Sequence, residues 1–449
     1  MNQLIMLGCL WLGACATAFS QQQTNGVNYQ LGPIPSVHKL LAENSVPMGN
    51  IQTFEEVKLD LPITSGPYEP TWKSIEANYP GTPEWLRDSK FGIWIHFGLQ
   101  SAGESGDWYA RKMYVEGTPA YENHLKNYGH PSEVGYKEVL RDWNPKKFDP
   151  QALVDIYKDA GARFLIIQGV HHDQFDMWDS KYQPWNSTRL GPKRDLIGEW
   201  EKAARKAGIR FGLTFHHEYS WWWWQTAFQS DTKGDKKGVP YDGNLTLANG
   251  KGKWWEGLDP KYLYGINLRE YETVAEAANS RWSPPQAGIF SGHLEYAEWY
   301  AKWWALRMMD AVDKYNPDFI YTDGTDQQPF SSSGTGTGYK CDAMQRVIAD
   351  FYNKTLDRRG KLLYHRFSFY SWQRWGHLCW CMTVPKAGDK LKIVSLGSDA
   401  GTGQKQVTSV ELLGEKNKIE WKQEADGLSI VYPDSAHLKT AVGFRIVCK

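Results

Sequence analysis

The chain has 449 residues, with 51 Lys plus Arg balanced by 51 Asp plus Glu. Its formal charge is therefore zero, and no basic face is offered to nucleic acid or to an anionic membrane. Aromatic residues reach 14%, with 23 Trp against 17 Phe, an excess that suits flat indole platforms for sugar rings as well as core packing.

Residues 1–20 read as an export signal. Leu4 to Ala18 is apolar yet too short to span a bilayer, and Ala16-x-Ala18 and Ala18-x-Ser20 both suit signal peptidase. Leu12-Gly13-Ala14-Cys15 offers lipid attachment at Cys15 as an alternative. The expected location is periplasmic or extracellular, and no later segment has the length and apolarity of a transmembrane span. Cys341, Cys379, Cys381 and Cys448 show no Cys-x-x-Cys spacing, so neither a zinc ribbon nor a disulfide scaffold is indicated. Residues 21–80, rich in Gln, Asn, Pro and Gly, read as a leader packed on the main domain.

From residue 81 the pattern changes. Phe91 to Phe97 is a predicted strand. Pro150 to Ala160 is a predicted helix with Asp149 as N-cap and an apolar face of Leu153, Ile156, Tyr157 and Ala160. The apolar run Phe164 to Val170 follows as a strand buried on both faces. Leu196 to Ala207 is helical and closes at Gly208, and Arg210 to Phe215 is the next strand. Ala301, Trp304, Met308, Ala311 and Val312 mark another helix, before a strand at Asp318 to Thr322 and a helix at Asp342 to Leu356. Such alternation predicts βα units in a parallel sheet or barrel over residues 81–362. Residues 363–385 are irregular. From 386 to 449, short strands separated by Gly, Asn and Asp turns predict a small all-β domain, and Ser331 to Gly338 is a loop.

Polar groups collect where the strands end: His96, then His171-His172-Asp173, then His216-His217-Glu218, then Asp323. If the sheet closes, all of them face one mouth. A metal site is weighed and set aside, because adjacent residues on a strand diverge and neither His-His pair offers the His-x-His spacing of a chelate. Neutral imidazoles around a small ring, an indole floor and a carboxylate beneath the anomeric carbon fit a sugar better. Trp221 to Trp224, Trp254 and Trp255 are candidate contacts for the rest of a glycan, with hydrophobic packing the alternative.

These pieces resemble the α-L-fucosidases of glycoside hydrolase family 29. The resemblance rests on Lys90-Phe-Gly-Ile-Trp-Ile-His96-Phe-Gly98, Gly106-Asp-Trp-Tyr109, His171-His172-Asp173-Gln-Phe175, Gly191-Pro-Lys-Arg-Asp195-Leu196 and Pro317-Asp-Phe-Ile-Tyr-Thr-Asp323-Gly324, in the family's order. It implies a (β/α)8-type, TIM-like barrel with a small C-terminal antiparallel β-sandwich, acting as a retaining exo-glycosidase on fucosylated oligosaccharides or glycoprotein glycans without metal or cofactor. Asp323 matches the nucleophile, although Asp-Gly after a strand is also turn chemistry. His96, His171 and His172 match histidines that hold fucose hydroxyls, and Trp108 matches a pocket wall. Asp107 stands where many members have Glu, and His216 lies on a strand end that carries Tyr or His in many members.

A retaining mechanism needs a second carboxyl about 5 Å from the nucleophile. Relatives place this Glu after the nucleophile strand, but here no Glu occurs between Asp323 and Thr402. The last barrel units are therefore expected to be missing, leaving an incomplete barrel. Glu218 and Glu104 are the upstream candidates for the acid, Glu218 first. Two rival readings follow: a non-catalytic, carbohydrate-binding relative, and a metal-dependent barrel hydrolase.

Overall fold

The computed structural model describes residues 28–35, 56–79, 81–218, 220–267, 294–323, 341–359, 377–381, 386–393, 396, 398, 406–412, 419–433 and 442–448. The expected signal at 1–20, Cys15, the loop 331–338 and most of 363–385 lie outside the described residues. Two compact units divide at residues 369 and 370.

The larger unit is α/β. Strands β1 (Ile93–Ile95), β2 (Phe164–Val170), β3 (Arg210–Phe215) and β4 (Phe319–Thr322) form one parallel sheet in the order β1-β2-β3-β4. Helices α1 (Pro150–Asp159), α2 (Leu196–Ala207), α3 (Leu294–Tyr315) and α4 (Ala343–Arg359) accompany them. The sequence sets the helix ends. Asp149 accepts from Ala152 N at 3.1 Å and Asp195 from Gly198 N at 2.9 Å, each satisfying an orphan donor of a first turn. Gly208 closes α2 with φ +73°, a left-handed cap that a Cβ would disfavour.

In α1 the predicted face is shifted. Val154 carries the burial and Ile156 is 62% exposed. The helix packs on α2, and Ile156 lies about 100° around the axis from Tyr157, outside that contact.

Register partners in the sheet share a face. One face carries Leu165, Ile167, Phe211, Leu213, Phe215 and Ile320, all fully buried. The other carries Trp94, Ile166, Gln168, Thr214 and Tyr321 in matching rows. Trp94 on β1 and Tyr321 on β4 have ring centroids 4.7 Å apart. A flat sheet would hold strands three spacings apart at ~14 Å. The sheet therefore curls, and its polar face is concave. Trp94, at 47% exposure, shows that this concavity is open to solvent.

The segment before β1 packs on α4. Leu59 N donates to Asp342 Oδ1, Thr64 N to Asp350 Oδ1 and Tyr68 N to Asn353 Oδ1, at 2.8, 2.9 and 3.1 Å. Among the described residues no helix is long and apolar enough to cross a membrane.

The smaller unit holds two three-stranded antiparallel sheets. Strand β5 (His377–Cys381) pairs with β10 (Val442–Cys448), which also pairs with β7 (Val407–Leu412); β9 (Gly427–Val431) lies between β6 (Lys390–Ile393) and β8 (Trp421–Glu424). Val410, Leu412, Leu428, Ile430, Phe444 and Ile446 form one apolar cluster from both sheets. Strand β5 falls inside 363–385, the stretch read as irregular. Its alternating register against β10 supplies an order that its mixed composition conceals.

Candidate active site

Each strand of the parallel sheet delivers its polar residues at the carboxyl end, and the rings meet there. His96 lies 4.6 Å from His216 and 5.8 Å from His171, between centroids. His171 and His172 are 4.4 Å apart, and His171 stacks on His216 at 5.3 Å. Asp323 joins them. Its Oδ2 accepts from His216 Nδ1 at 3.1 Å and lies 4.0 Å from His172 Nε2.

The backbone explains why these side chains hold still. His172 Nδ1 donates to the His216 carbonyl at 2.6 Å, which leaves Nε2 as the acceptor of a neutral ring. Ser220 Oγ donates to the His172 carbonyl at 2.7 Å. Asp173 Oδ2 accepts from Tyr136 OH at 2.8 Å and Oδ1 from Phe175 N at 3.2 Å, so this carboxyl orients its loop. Behind it, Arg307 is fully buried and pairs with Asp176 and Gln174, with its guanidinium 4.5 Å from the Trp303 ring centre.

Burial decides the electrostatics. Desolvation, with neighbouring imidazoles second, holds His171 well below its ordinary value and His172 at about 3. His96 is accessible on one side, and its partial desolvation and the His216 ring lower it to about 4. Burial works to raise Asp323, but the His216 hydrogen bond and the surrounding rings outweigh it, and its carboxyl stays below the usual range. Burial lifts Asp173 to about 6. At neutral pH His96, His171 and His172 are thus neutral donors and acceptors beside the ionised Asp323 carboxylate.

Some expectations are corrected. His171 and His172 do not diverge. They lie beyond the last residue of β2, where strand alternation no longer applies, and both rings turn into the pocket. His216 and His217 do diverge: His217 Nε2 donates to the Trp304 carbonyl at 3.2 Å, inside the core.

Trp221 does not face the pocket. It is 1% exposed and stacks on Tyr296 at 4.9 Å. Trp223, fully buried with its ring 5.8 Å from His172 and 5.9 Å from Trp108, backs those pocket residues instead. Residues two apart in a helix point to nearly opposite sides, so Ser220–Trp223 could never present both indoles to one ligand. Trp108 is half-buried and 5.6 Å from His172, and Asp107 is exposed beside His96. Replacing Trp108 with Ala should raise KM about tenfold, the loss of one aromatic wall, while leaving the melting temperature nearly unchanged. Trp221→Phe should do the reverse, costing about 1–3 kcal/mol of stability at constant KM. Steady-state kinetics and a thermal melt on each variant separate the two roles.

Glu218 sits on the far side of the sheet from the histidine cluster. It is fully buried beside Thr322, whose register partner Phe215 faces the helices, and neither carboxyl oxygen has a well-formed hydrogen bond among the described residues. Burial raises its pKa well above the ordinary value, the Asp323 charge adds to this, and the Thr322 hydroxyl only partly opposes it. The unfolded chain loses this proton near pH 4.5 while the folded chain keeps it, so stability falls as pH rises from there. Glu218→Gln, neutral at every pH, should melt with wild type near pH 4 and at least about 2 °C above it at pH 8, as measured by calorimetry. Parallel melting curves across that range would show that Glu218 is not held protonated. Glu104 is exposed, with φ +48°.

The alpha-L-fucosidase family model matches residues 57–399. The tissue alpha-L-fucosidase of Bos taurus is 33% identical over 156 residues, 34% of this chain and 32% of that protein. The plasma alpha-L-fucosidase of Homo sapiens is 33% identical over 157 residues, covering 34% and 33%, and a putative alpha-L-fucosidase of Caenorhabditis elegans is 29% identical over 267 residues, covering 54% and 53%. The chain spans about a third of the length of the tissue and plasma relatives. A Thermotoga maritima alpha-fucosidase in complex with fucose aligns at 18% identity with TM-score 0.40, over 84% of this chain and 99% of that one. By the family match over residues 57–399, which takes in all four strand ends of the pocket, the chain belongs to the alpha-L-fucosidase family.

Proposed function

We propose that the protein is an exported retaining exo-glycosidase that releases terminal α-L-fucose from glycans, with Asp323 as the nucleophile that carries the sugar covalently. One observation carries the reading: a carboxylate at the end of β4, kept ionised by His216 at 3.1 Å, faces a ring of neutral imidazoles. Neutral rings both donate to and accept from hydroxyls, which suits a small polyhydroxylated ligand. Trp108 supplies an apolar wall, with Trp223 packed behind it. The sequential strand order and the concave polar face suit an arc of a (β/α)8 barrel, and the two small sheets suit a C-terminal sandwich.

In the first step Asp323 Oδ attacks the anomeric carbon as the bond to the leaving oxygen breaks. Water then attacks the anomeric carbon from the face the leaving group vacated and displaces the Asp323 carboxylate, so two inversions give retention. With Glu218 buried, good leaving groups that need little protonation should react best. The test is hydrolysis of 4-nitrophenyl α-L-fucoside followed by proton NMR, in which the α-anomer of fucose should appear first. First appearance of the β-anomer would refute the covalent route.

The burial of Glu218 also favours a second reading, a carbohydrate-binding relative without turnover. It predicts that fucose raises the melting temperature while no aryl fucoside is cleaved.

A further inference from the structure

We propose that His171, His172 and His216 form a three-imidazole trap for a divalent transition-metal ion, Zn²⁺ being the type, which takes the place of the sugar and inhibits the enzyme. The inhibition rests on the fucosidase reading; the metal binding does not. One ligand atom from each ring lies within 4.8 Å of the others, and all three residues are buried. A tetrahedral Zn²⁺ with Zn–N of about 2.0–2.1 Å holds its nitrogens about 3.3 Å apart, so each ring has to move inward by under about 1 Å. That lies within reach of small side-chain rotations.

A second observation points to a ligand here. His171 Nδ1 is buried and has no hydrogen-bond partner among the described residues. A polar atom left so in a native interior calls for an occupant. The outer contacts are those of metal-bound histidines. The His216 carbonyl holds His172 Nδ1–H at 2.6 Å and so directs Nε2 inward. Thr214 Oγ1 lies 3.2 Å from His216 Nε2, placed to accept a hydrogen bond from Nε2–H when Nδ1 gives its lone pair to the ion. His216 Nδ1 now holds Asp323, at 3.1 Å. When that nitrogen turns to the metal, the carboxylate is released to become the fourth ligand, and the nucleophile is lost with it.

The trap depends on a feature the sequence conceals. On a strand, His171 and His172 would face opposite ways and no chelate could form. Just past the strand they converge to 4.4 Å, with His216 completing the triangle at 5.3 and 5.8 Å.

The full chain, stripped with a chelator and freed of it, is titrated with Co²⁺ while its visible spectrum is recorded, and with Zn²⁺ by calorimetry. The proposal expects one ion per chain, intense tetrahedral Co²⁺ bands, and affinity at least about tenfold weaker in His171→Gln and His172→Gln. On wild type, L-fucose should shift the Zn²⁺ titration to higher metal, a readout that requires neither a variant nor turnover. Zn²⁺ should inhibit aryl fucoside cleavage competitively, and chelator should restore it. Absence of Co²⁺ and Zn²⁺ binding, or binding unchanged in both folded variants, overturns the trap. Activity lost on chelation and restored by Zn²⁺ overturns the inhibitory role. Metal binding in a protein that cleaves no fucoside upholds the trap and removes the fucosidase reading instead.

Discussion

Asp323→Gly should lower kcat on 4-nitrophenyl α-L-fucoside by about 10⁴–10⁶-fold while fucose continues to raise the melting temperature. Asp323 lies against His216 and His172 at the strand ends, and the neutral rings of His96, His171 and His172 cannot replace its carboxylate in the attack. The variant also leaves a space where the carboxylate stood. Azide should enter it, attack the anomeric carbon from the same face and expel nitrophenolate, which gives β-fucosyl azide with one inversion and partly restores turnover. A residue that only shapes the turn behaves differently. Its loss would lower the melting temperature, and azide would do nothing.

The second large effect is on stability. Arg307 is fully buried between Asp176, Gln174 and the Trp303 ring, on the side of the His171-His172-Asp173 loop away from the pocket. Arg307→Met keeps the apolar stem but strands the buried Asp176 carboxylate, whose pKa burial already lifts to about 6. Removing one partner of a buried pair costs about 3–5 kcal/mol, or roughly 5–8 °C in melting temperature for a unit of roughly 300 residues. Adding Asp176→Asn should recover much of that loss, because the stranded charge goes with it. Differential scanning calorimetry of the single and double variants checks this, and equal melting points for the two would mean that the ion pair is not the source.

The sequence makes the chemistry legible where it breaks a pattern. His96, His171, His216 and Asp323 each follow an apolar run directly, and the parallel register brings those run ends together. Caps at Asp149 and Asp195 and the glycine stop at Gly208 are local chemistry and could be read locally. What could not be read depends on direction after an element ends. His171 and His172 converge because the chain turns there. Glu218, two residues beyond His216, drops behind the sheet beside Thr322. Trp221 and Trp223 share one motif and serve opposite sides, which only the helical turn at Ser220–Trp223 reveals. The buried Arg307 lies within an apolar helix pattern, and nothing in that pattern names Asp176 as its partner, 131 positions away.

A nucleophilic Asp323 must carry the sugar covalently between the two steps. Exposure of the protein to 2-fluoro-fucosyl fluoride, whose 2-fluorine slows both steps while the fluoride leaving group keeps the first one fast, should accumulate that ester. Denaturing mass spectrometry should then show one fluorofucosyl unit per chain, mapped to the peptide holding Asp323 and absent in Asp323→Gly. An unmodified mass under conditions of turnover, or a label on another carboxylate, would exclude Asp323 as the nucleophile.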